Sequence, residues 1–186
     1  LYCFDHGLLS IATFCSNMAY ENDQATTAKA LAKNLASDTP SYIRHLLRVS
    51  QSLVEFHNGN STKAVELCEE SANVTDDCQL QAQGYIHASE CVMYGNNDNN
   101  ISLNMLSKAY ACDTKSLSLS SYIHLVKLLI AGVRFDEAIA VALKGFEYYP
   151  SSATLMTLIG VNCYRLERYV EAENSFLEAT LLDSHN

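Results

Sequence analysis

Along the chain, apolar residues recur every three or four positions, the spacing of one helix face, and polar stretches break the pattern at short intervals. Tyr122, Leu125, Val126 and Leu129 share one such face, and Ile139, Ala142 and Phe146 share the next. The run SLSLSSY, residues 116–122, alternates like a strand for a few positions, yet the apolar residues that follow keep helical spacing and predict a helix. GNNDNN, residues 95–100, can bury nothing and predicts a turn. Only two prolines and seven glycines punctuate the 186 residues, and the long segments rich in Leu, Ala, Ser, Glu and Lys predict an all-α fold.

The pattern also repeats. VRFDEAIAVALKGFEYYP starts at Val133, and ERYVEAENSFLEATLLDS starts 34 residues later at Glu167. Both contain Arg-aromatic-x-Glu-Ala, as Arg134, Phe135, Glu137, Ala138 and then Arg168, Tyr169, Glu171, Ala172. A fixed period of roughly 20 to 50 residues marks an array of stacked units. Small residues at Ala28, Ala64, Ser102, Ala138 and Ala172 anchor successive units at intervals of 36, 38, 36 and 34 residues. Small anchors are what two closely crossing helices require, since a larger side chain would have no room. Pro40 and Pro150 each lie twelve residues past an anchor, where a proline ends one helix and starts the next. Five helical hairpins are expected, at 9–42, 45–78, 83–116, 119–152 and 153–186, as one solenoid whose core comes from stacking. The chain opens on Leu-Tyr-Cys and stops within its pattern at Asn186, so it is expected to be a piece of a longer protein.

Leu155 to Ser184 resembles a tetratricopeptide (TPR) repeat, with Ile159-Gly160 at the close helix contact, then Tyr164, Tyr169, Ala172, Phe176, Ala179 and a closing Leu-Asp-Ser. The 119–152 unit resembles it through Leu125, Leu129, Ala138 and Pro150, but has Val126 where the family prefers a small residue and Gly145 where it prefers Ala. Earlier units match less well, and in 83–116 the close-contact place is expected to hold Glu90. The resemblance implies an α-solenoid with a right-handed superhelical twist that binds other proteins and is not an enzyme. CYRLERYVEAENSFLEATLLDSHN, residues 163–186, is also similar to the C-terminal TPR region of cilia- and flagella-associated proteins of the axoneme. That similarity implies a microtubule-bound, multi-subunit complex of the cilium or flagellum. Other TPR-built complexes, or a regulatory arm of an enzyme whose catalytic domain lies outside this chain, are the alternatives.

Charge and composition narrow the partners. Twelve basic against 21 acidic residues give a net charge of −9, which repels phosphate backbones and argues against nucleic acid. The seven cysteines are scattered with no C-x-x-C pair, as suits reduced thiols in a cytoplasmic compartment. No apolar run approaches the ~18 residues of a membrane span. The three N-glycosylation sequons at Asn60, Asn73 and Asn100 read as chance in an Asn-rich chain. Phosphate-binding, dinucleotide-binding, zinc-protease and serine-hydrolase motifs are all missing from the sequence. His87 and Cys91 share a helix face, but a structural zinc site takes about four ligands, and no metal or cofactor is expected.

The remaining signal is aromatic. Near the end of each hairpin's first helix, the place that lines the groove in TPR arrays, stand Tyr20, Phe56, Tyr94 and Tyr164, with Ile130 as the exception. They form either a ladder for docking a peptide or helix, or packing between neighbouring hairpins. Lys127 and Arg165 are expected in the same groove. The carboxylate clamp by which some TPR proteins grip chaperone C-termini has one candidate, Asn17, but Thr13, Leu46 and Ser50 occupy the matching places, so no clamp assembles. The expected function is a non-catalytic scaffold or docking module.

Overall fold

A computed structural model describes residues 40–95 and 97–184. The hairpin expected at 9–42, with its anchor Ala28 and with Asn17 and Tyr20, lies outside the described residues almost entirely. The described residues form eight α-helices and no strand: α1 (Ser41–His57), α2 (Ser61–Asn73), α3 (Cys78–Tyr94), α4 (Asn99–Cys112), α5 (Leu119–Ala131), α6 (Phe135–Tyr148), α7 (Ala153–Arg165) and α8 (Tyr169–Ser184). A single 3-10 turn, Thr114–Ser116, precedes α5. The helices belong to two compact units, one reaching to Asp113 and one starting at Thr114. In the first, α1 pairs with α2, α2 with α3 and α3 with α4; in the second, α5 pairs with α6, α6 with α7 and α7 with α8.

Local chemistry sets the helix ends. Asp77 accepts from the N–H groups of Gln79 and Leu80 to start α3, and Asp98 does the same with Asn100 and Ile101 to start α4. Ser118 caps α5 through the N–H of Ser121, and Ser152 caps α7 through that of Leu155. α1 starts on Pro40, whose missing N–H costs nothing at a helix start and whose carbonyl accepts from Ile43 and Arg44. The helices α1 and α3 thus begin at Ser41 and Cys78, ahead of the hairpin starts expected at 45 and 83.

Within each hairpin the turn is closed by one residue with a left-handed backbone: Gly59 (φ 82°), Asn97 (φ 51°), Val133 (φ 58°) and Glu167 (φ 61°). Each stands five residues before its anchor. In three of the turns the following N–H reaches back to the carbonyl five residues earlier, Asn60 to Glu55, Arg134 to Leu129 and Arg168 to Cys163, at 2.8–2.9 Å.

The anchors do what their size suggests. Ala64 and Ala138 are fully buried, and Ser102 and Ala172 are 2% exposed. A Cβ on Gly160 would lie 2.7 Å from the Phe176 ring, and one on Gly145 would lie 2.9 Å from Tyr122. These are crossings too tight for a side chain. In the α3–α4 hairpin the close-contact residue is Ser89 rather than Glu90. Ser89 is buried and its hydroxyl lies 2.9 Å from that of Ser102, whereas Glu90 points outward and pairs with His87. The physical reason is the turn, which is one residue longer than its counterparts and shifts the register of α3 by one place against the anchor.

Candidate partner-binding site

Two kinds of place carry polar or exposed functional groups, one in each unit. In the first unit the polar ones are interior. His45, 2% exposed, sets its Nδ1 3.0 Å from the Ser71 carbonyl, tying α1 to the end of α2. Cys68 donates to the Ser52 hydroxyl at 3.1 Å, and Ser52 in turn donates to the Val49 carbonyl at 2.7 Å. Burial holds the His45 pKa below its ordinary value, with only partial compensation from the Ser71 carbonyl. The neighbouring Cys91 thiol, and then burial, push the Cys68 thiol far above the usual cysteine range, so it keeps its proton and is no nucleophile. Among the described residues, no group of three or more His, Cys, Asp or Glu is placed to hold a metal ion.

In the second unit the exposed groups gather at the α7–α8 turn and along α8. Gly160 admits the Phe176 ring against α7, and Tyr164 meets Tyr169 edge-on with ring centroids 5.6 Å apart. Between and beside them runs a groove of about 450 Å³ lined by Tyr164, Tyr169, Ala172, Glu173, Phe176, Leu177 and Thr180. Most of its walls are apolar and open to solvent: Tyr164 is 60% exposed, Tyr169 58% and Leu177 58%. Arg168 at the turn is engaged with Asp136 at 2.9 Å, which holds the start of α8 to the start of α6.

The residues expected to line a groove fall into different surroundings. Tyr20 lies outside the described residues. Phe56 is half-buried and packs on the cluster of Ala64, Cys68, Ala88, Cys91 and Met105. Tyr94, at the last turn of α3, is 72% exposed. Ile130 is half-buried, Lys127 is exposed on α5, and Arg165 is exposed at the end of α7. Of this set, only Tyr164 lines the α7–α8 groove. Sequence reasoning missed Tyr169, Phe176 and Leu177 as one surface, because it read Tyr169 and Phe176 as residues of the repeat motif and did not single out Leu177. The available signal was Val170 and Leu181, two apolar residues at places that are polar or small in the preceding units.

Among the described residues, no helix is long and apolar enough to cross a membrane. No protein-family model matches the chain, and no curated protein matches it significantly. Solved structures do. A crystal structure of MamA aligns with a TM-score of 0.63 at 15% identity, over 95% of this chain and 92% of its own. YrrB, described as a TPR protein with an unusual peptide-binding site, aligns with a TM-score of 0.58 at 14% identity, over 90% and 82%. Nearly identical TPR-like repeats of a Podosopora anserina kinesin light chain protein align with a TM-score of 0.61 at 15% identity, over 95% of each chain. At such identities the likeness concerns the backbone, and it shows that this chain has the all-α fold of a TPR solenoid.

Proposed function

We propose that the chain is a non-catalytic protein–protein docking module of a larger assembly. The observation that carries this proposal is a TPR fold whose large aromatic side chains Tyr94 and Tyr164 stand in solvent at the ends of first helices. Such rings are suited to docking, since each offers a rigid apolar face with a polar edge. Peptide binding by the structural neighbour YrrB is in keeping with it. Lys127 and Arg165 are exposed on first helices of the second unit and offer cations there, while Phe56 is half-buried against the interior of the first unit. Tyr20, outside the described residues, holds the corresponding position in the sequence repeat. Protein partners are favoured over nucleic acid by the net charge of −9. The free thiols at 68, 78, 91, 112 and 163 support a cytoplasmic compartment. A ciliary or axonemal assembly is the finer proposal, resting on the resemblance of residues 163–186, and imaging of the tagged protein in ciliated cells tests it.

Affinity capture of the intact protein, followed by mass spectrometry, identifies the partners. Tyr94→Ala is then expected to weaken their recovery while leaving the circular dichroism melt unchanged, because a side chain 72% exposed holds little of the fold. Failure to recover any stable protein partner would sink the docking function.

A further inference from the structure

The contact between α2 and α3 joins the first described hairpin to the second, and it holds two thiols. α2 brings Ala64 and Cys68 to it, α3 brings Ala88 and Cys91, and all four are buried in one cluster with Met105. The helices run antiparallel, joined by the turn 74–77. Close approaches at two points fix their register. A Cβ on Gly84 would lie 2.8 Å from the Ser71 hydroxyl and 3.0 Å from the Ala72 Cβ, and one on Gly95 would lie 2.6 Å from the Ser61 Cβ. Cys68 is therefore level with His87 and Ala88, and Cys91 with Ala64 and Val65. The two levels differ by about 4.5 Å of helix rise. Every Cα–Cβ bond in a helix tilts toward its own N-terminus. In antiparallel helices that tilt carries the Cys68 side chain toward the level of Cys91, and the Cys91 side chain back toward the level of Cys68. The small Ala64 and Ala88 leave the space between the helices to the two sulfurs.

Packing alone does not call for thiols here. The equivalent places where α6 meets α7 hold Ala142 and Asn162, and both are fully buried. The two sulfurs also differ from each other. The Cys68 thiol, first among the causes, holds the Cys91 pKa below the ordinary cysteine value; His87, one turn earlier on the same face, adds to this, while burial and Glu90 oppose it. Cys91 is 6% exposed against 0% for Cys68, so a small oxidant meets the more acidic thiol first.

We infer that Cys68 and Cys91 form a modification site, a dithiol that a peroxide converts into a disulfide stapling α2 to α3. The Cys91 sulfur attacks a peroxide oxygen, the O–O bond breaks, and the displaced hydroxide takes a proton from solvent and leaves as water. Cys68 is no nucleophile while a charged Cys91 stands beside it, since that neighbour is the main cause of its raised pKa. Conversion of Cys91 to the neutral sulfenic acid removes that cause. Cys68 then attacks the Cys91 sulfur: the S–S bond forms, the S–O bond breaks, and the leaving hydroxide takes the Cys68 proton as a second water. Two electrons pass from the sulfurs to one peroxide. In a reducing compartment such a bond is transient and reports an oxidant. The inference is independent of the docking function proposed above.

The test uses the full, reduced chain. It is treated with hydrogen peroxide, its remaining thiols are blocked with a maleimide under denaturing conditions, and the digest is read by mass spectrometry. A peptide pair joined through Cys68 and Cys91 and released by dithiothreitol is expected. It should form before any change at Cys163, which is as deeply buried and which burial makes less acidic. Cys68→Ala should let Cys91 advance to the sulfinic acid at the same dose, and Cys91→Ala should leave Cys68 reduced. Hydrogen exchange in the linked chain should slow in α2 and α3 and stay unchanged in α7 and α8. The inference is overturned if the wild-type chain gives no linked pair, if either cysteine links elsewhere, or if Cys91 reaches the sulfinic acid beside a free Cys68. Faster exchange in α2 and α3 on linkage also overturns it, because the bond would then open the contact it is held to staple. The wild-type peptide map decides the matter however well either variant folds.

Discussion

Where α1 crosses α2, Ser52 is fully buried and hydrogen-bonded to the Cys68 thiol; where α3 crosses α4, Ser89 meets Ser102. The equivalent places in the second unit are Val126, fully buried, and Gly160, pressed against the Phe176 ring. The contrast continues outward from these positions. His45, Ser52, Ser71, Thr75, Ser89 and Ser102 lie inside the first unit, whereas Tyr122, Leu125, Leu129, Leu155, Met156 and Ile159 fill the second. A repeat frame therefore specifies the volume available at a crossing but not its polarity. The same gap is closed by a hydroxyl pair at one level and by a methyl group or a ring at another. At these crossings, therefore, the first unit adds hydrogen bonds to its apolar core where the second uses apolar contact.

The largest break of this contrast is Tyr122→Ala. The Tyr122 ring is fully buried, lies in van der Waals contact with the Gly145 backbone, and its hydroxyl donates to the Thr114 carbonyl at 2.8 Å. Removing a buried aromatic ring costs roughly 3–5 kcal/mol. Hydrogen exchange should report lost protection throughout α5 to α8. Protection confined to its former level in α5 and α6 would mean that the ring is not central to the second unit.

An exchange of Ser52 and Val126 comes next. Val126→Ser removes two buried methyl groups and strands a hydroxyl among apolar neighbours, for a cost of about 2 kcal/mol. Ser52→Val adds bulk to a crossing with no free volume and takes away the Cys68 contact, for about 1–3 kcal/mol. Each substitution is thus expected to lower the midpoint of chemical denaturation. A stabilising Ser52→Val would show that the first unit tolerates apolar packing and that its polarity is incidental.

How much of this was legible beforehand depends on the residue. The all-α fold, the helix-hairpin plan and the anchors at Ala64, Ser102, Ala138 and Ala172 follow from spacing, because a close crossing demands a small residue wherever it occurs. The substitution of Ser89 for Glu90 did not follow: the 38-residue interval and the GNNDNN turn announce an insertion, but not how many of its residues fall between the two helices. Nor did the groove: Phe176 and Ala142 occupy equivalent places, and which of them is covered depends on a neighbouring helix rather than on the residue itself. Tyr94 and Phe56 were given one repeat position, but the one-residue shift of α3 sets the half-buried Met93 at the place of Phe56 and turns Tyr94 outward. Val170, Leu181 and Glu173 were visible as departures from the repeat.

The pH dependence separates the units more gently. Burial depresses the His45 pKa from 6.5, so the folded chain holds its proton more weakly than the unfolded chain does. The sign follows: stability is complete above about pH 6.5 and falls as the pH drops below it, while the unfolded state takes up a proton that the native His45 refuses. The charges that bear on it are His87, which adds to the depression, and Asp77, which opposes it. His124 in the second unit is shifted the same way by burial and by Lys127, but it is half-exposed. Acidification should therefore lower exchange protection in α1 and α2 before it does so in α7 and α8. His45→Gln should remove most of that difference, and a chain whose protection in α1 is flat between neutral and mildly acidic pH contradicts the role given to His45.

The smallest effect concerns the turns, where the two units solve one problem with different residues. Gly59 and Val133 each stand five places before an anchor with a left-handed backbone, at φ 82° and 58°. Glycine adopts this conformation without strain, but a β-branched side chain is crowded against its own backbone there. Val133 is 71% exposed, so little packing offsets the strain. Asparagine tolerates the left-handed region and restricts the unfolded chain more than glycine does. Val133→Asn is accordingly expected to stabilise the second unit by about 0.5–1 kcal/mol, whereas Gly59→Val should destabilise the first by about 1–2 kcal/mol. Paired denaturation curves on the two variants give opposite shifts if the turn is what differs. Shifts of the same sign would place the strain of Val133 elsewhere, and the contrast between the units would then lie in their interiors alone.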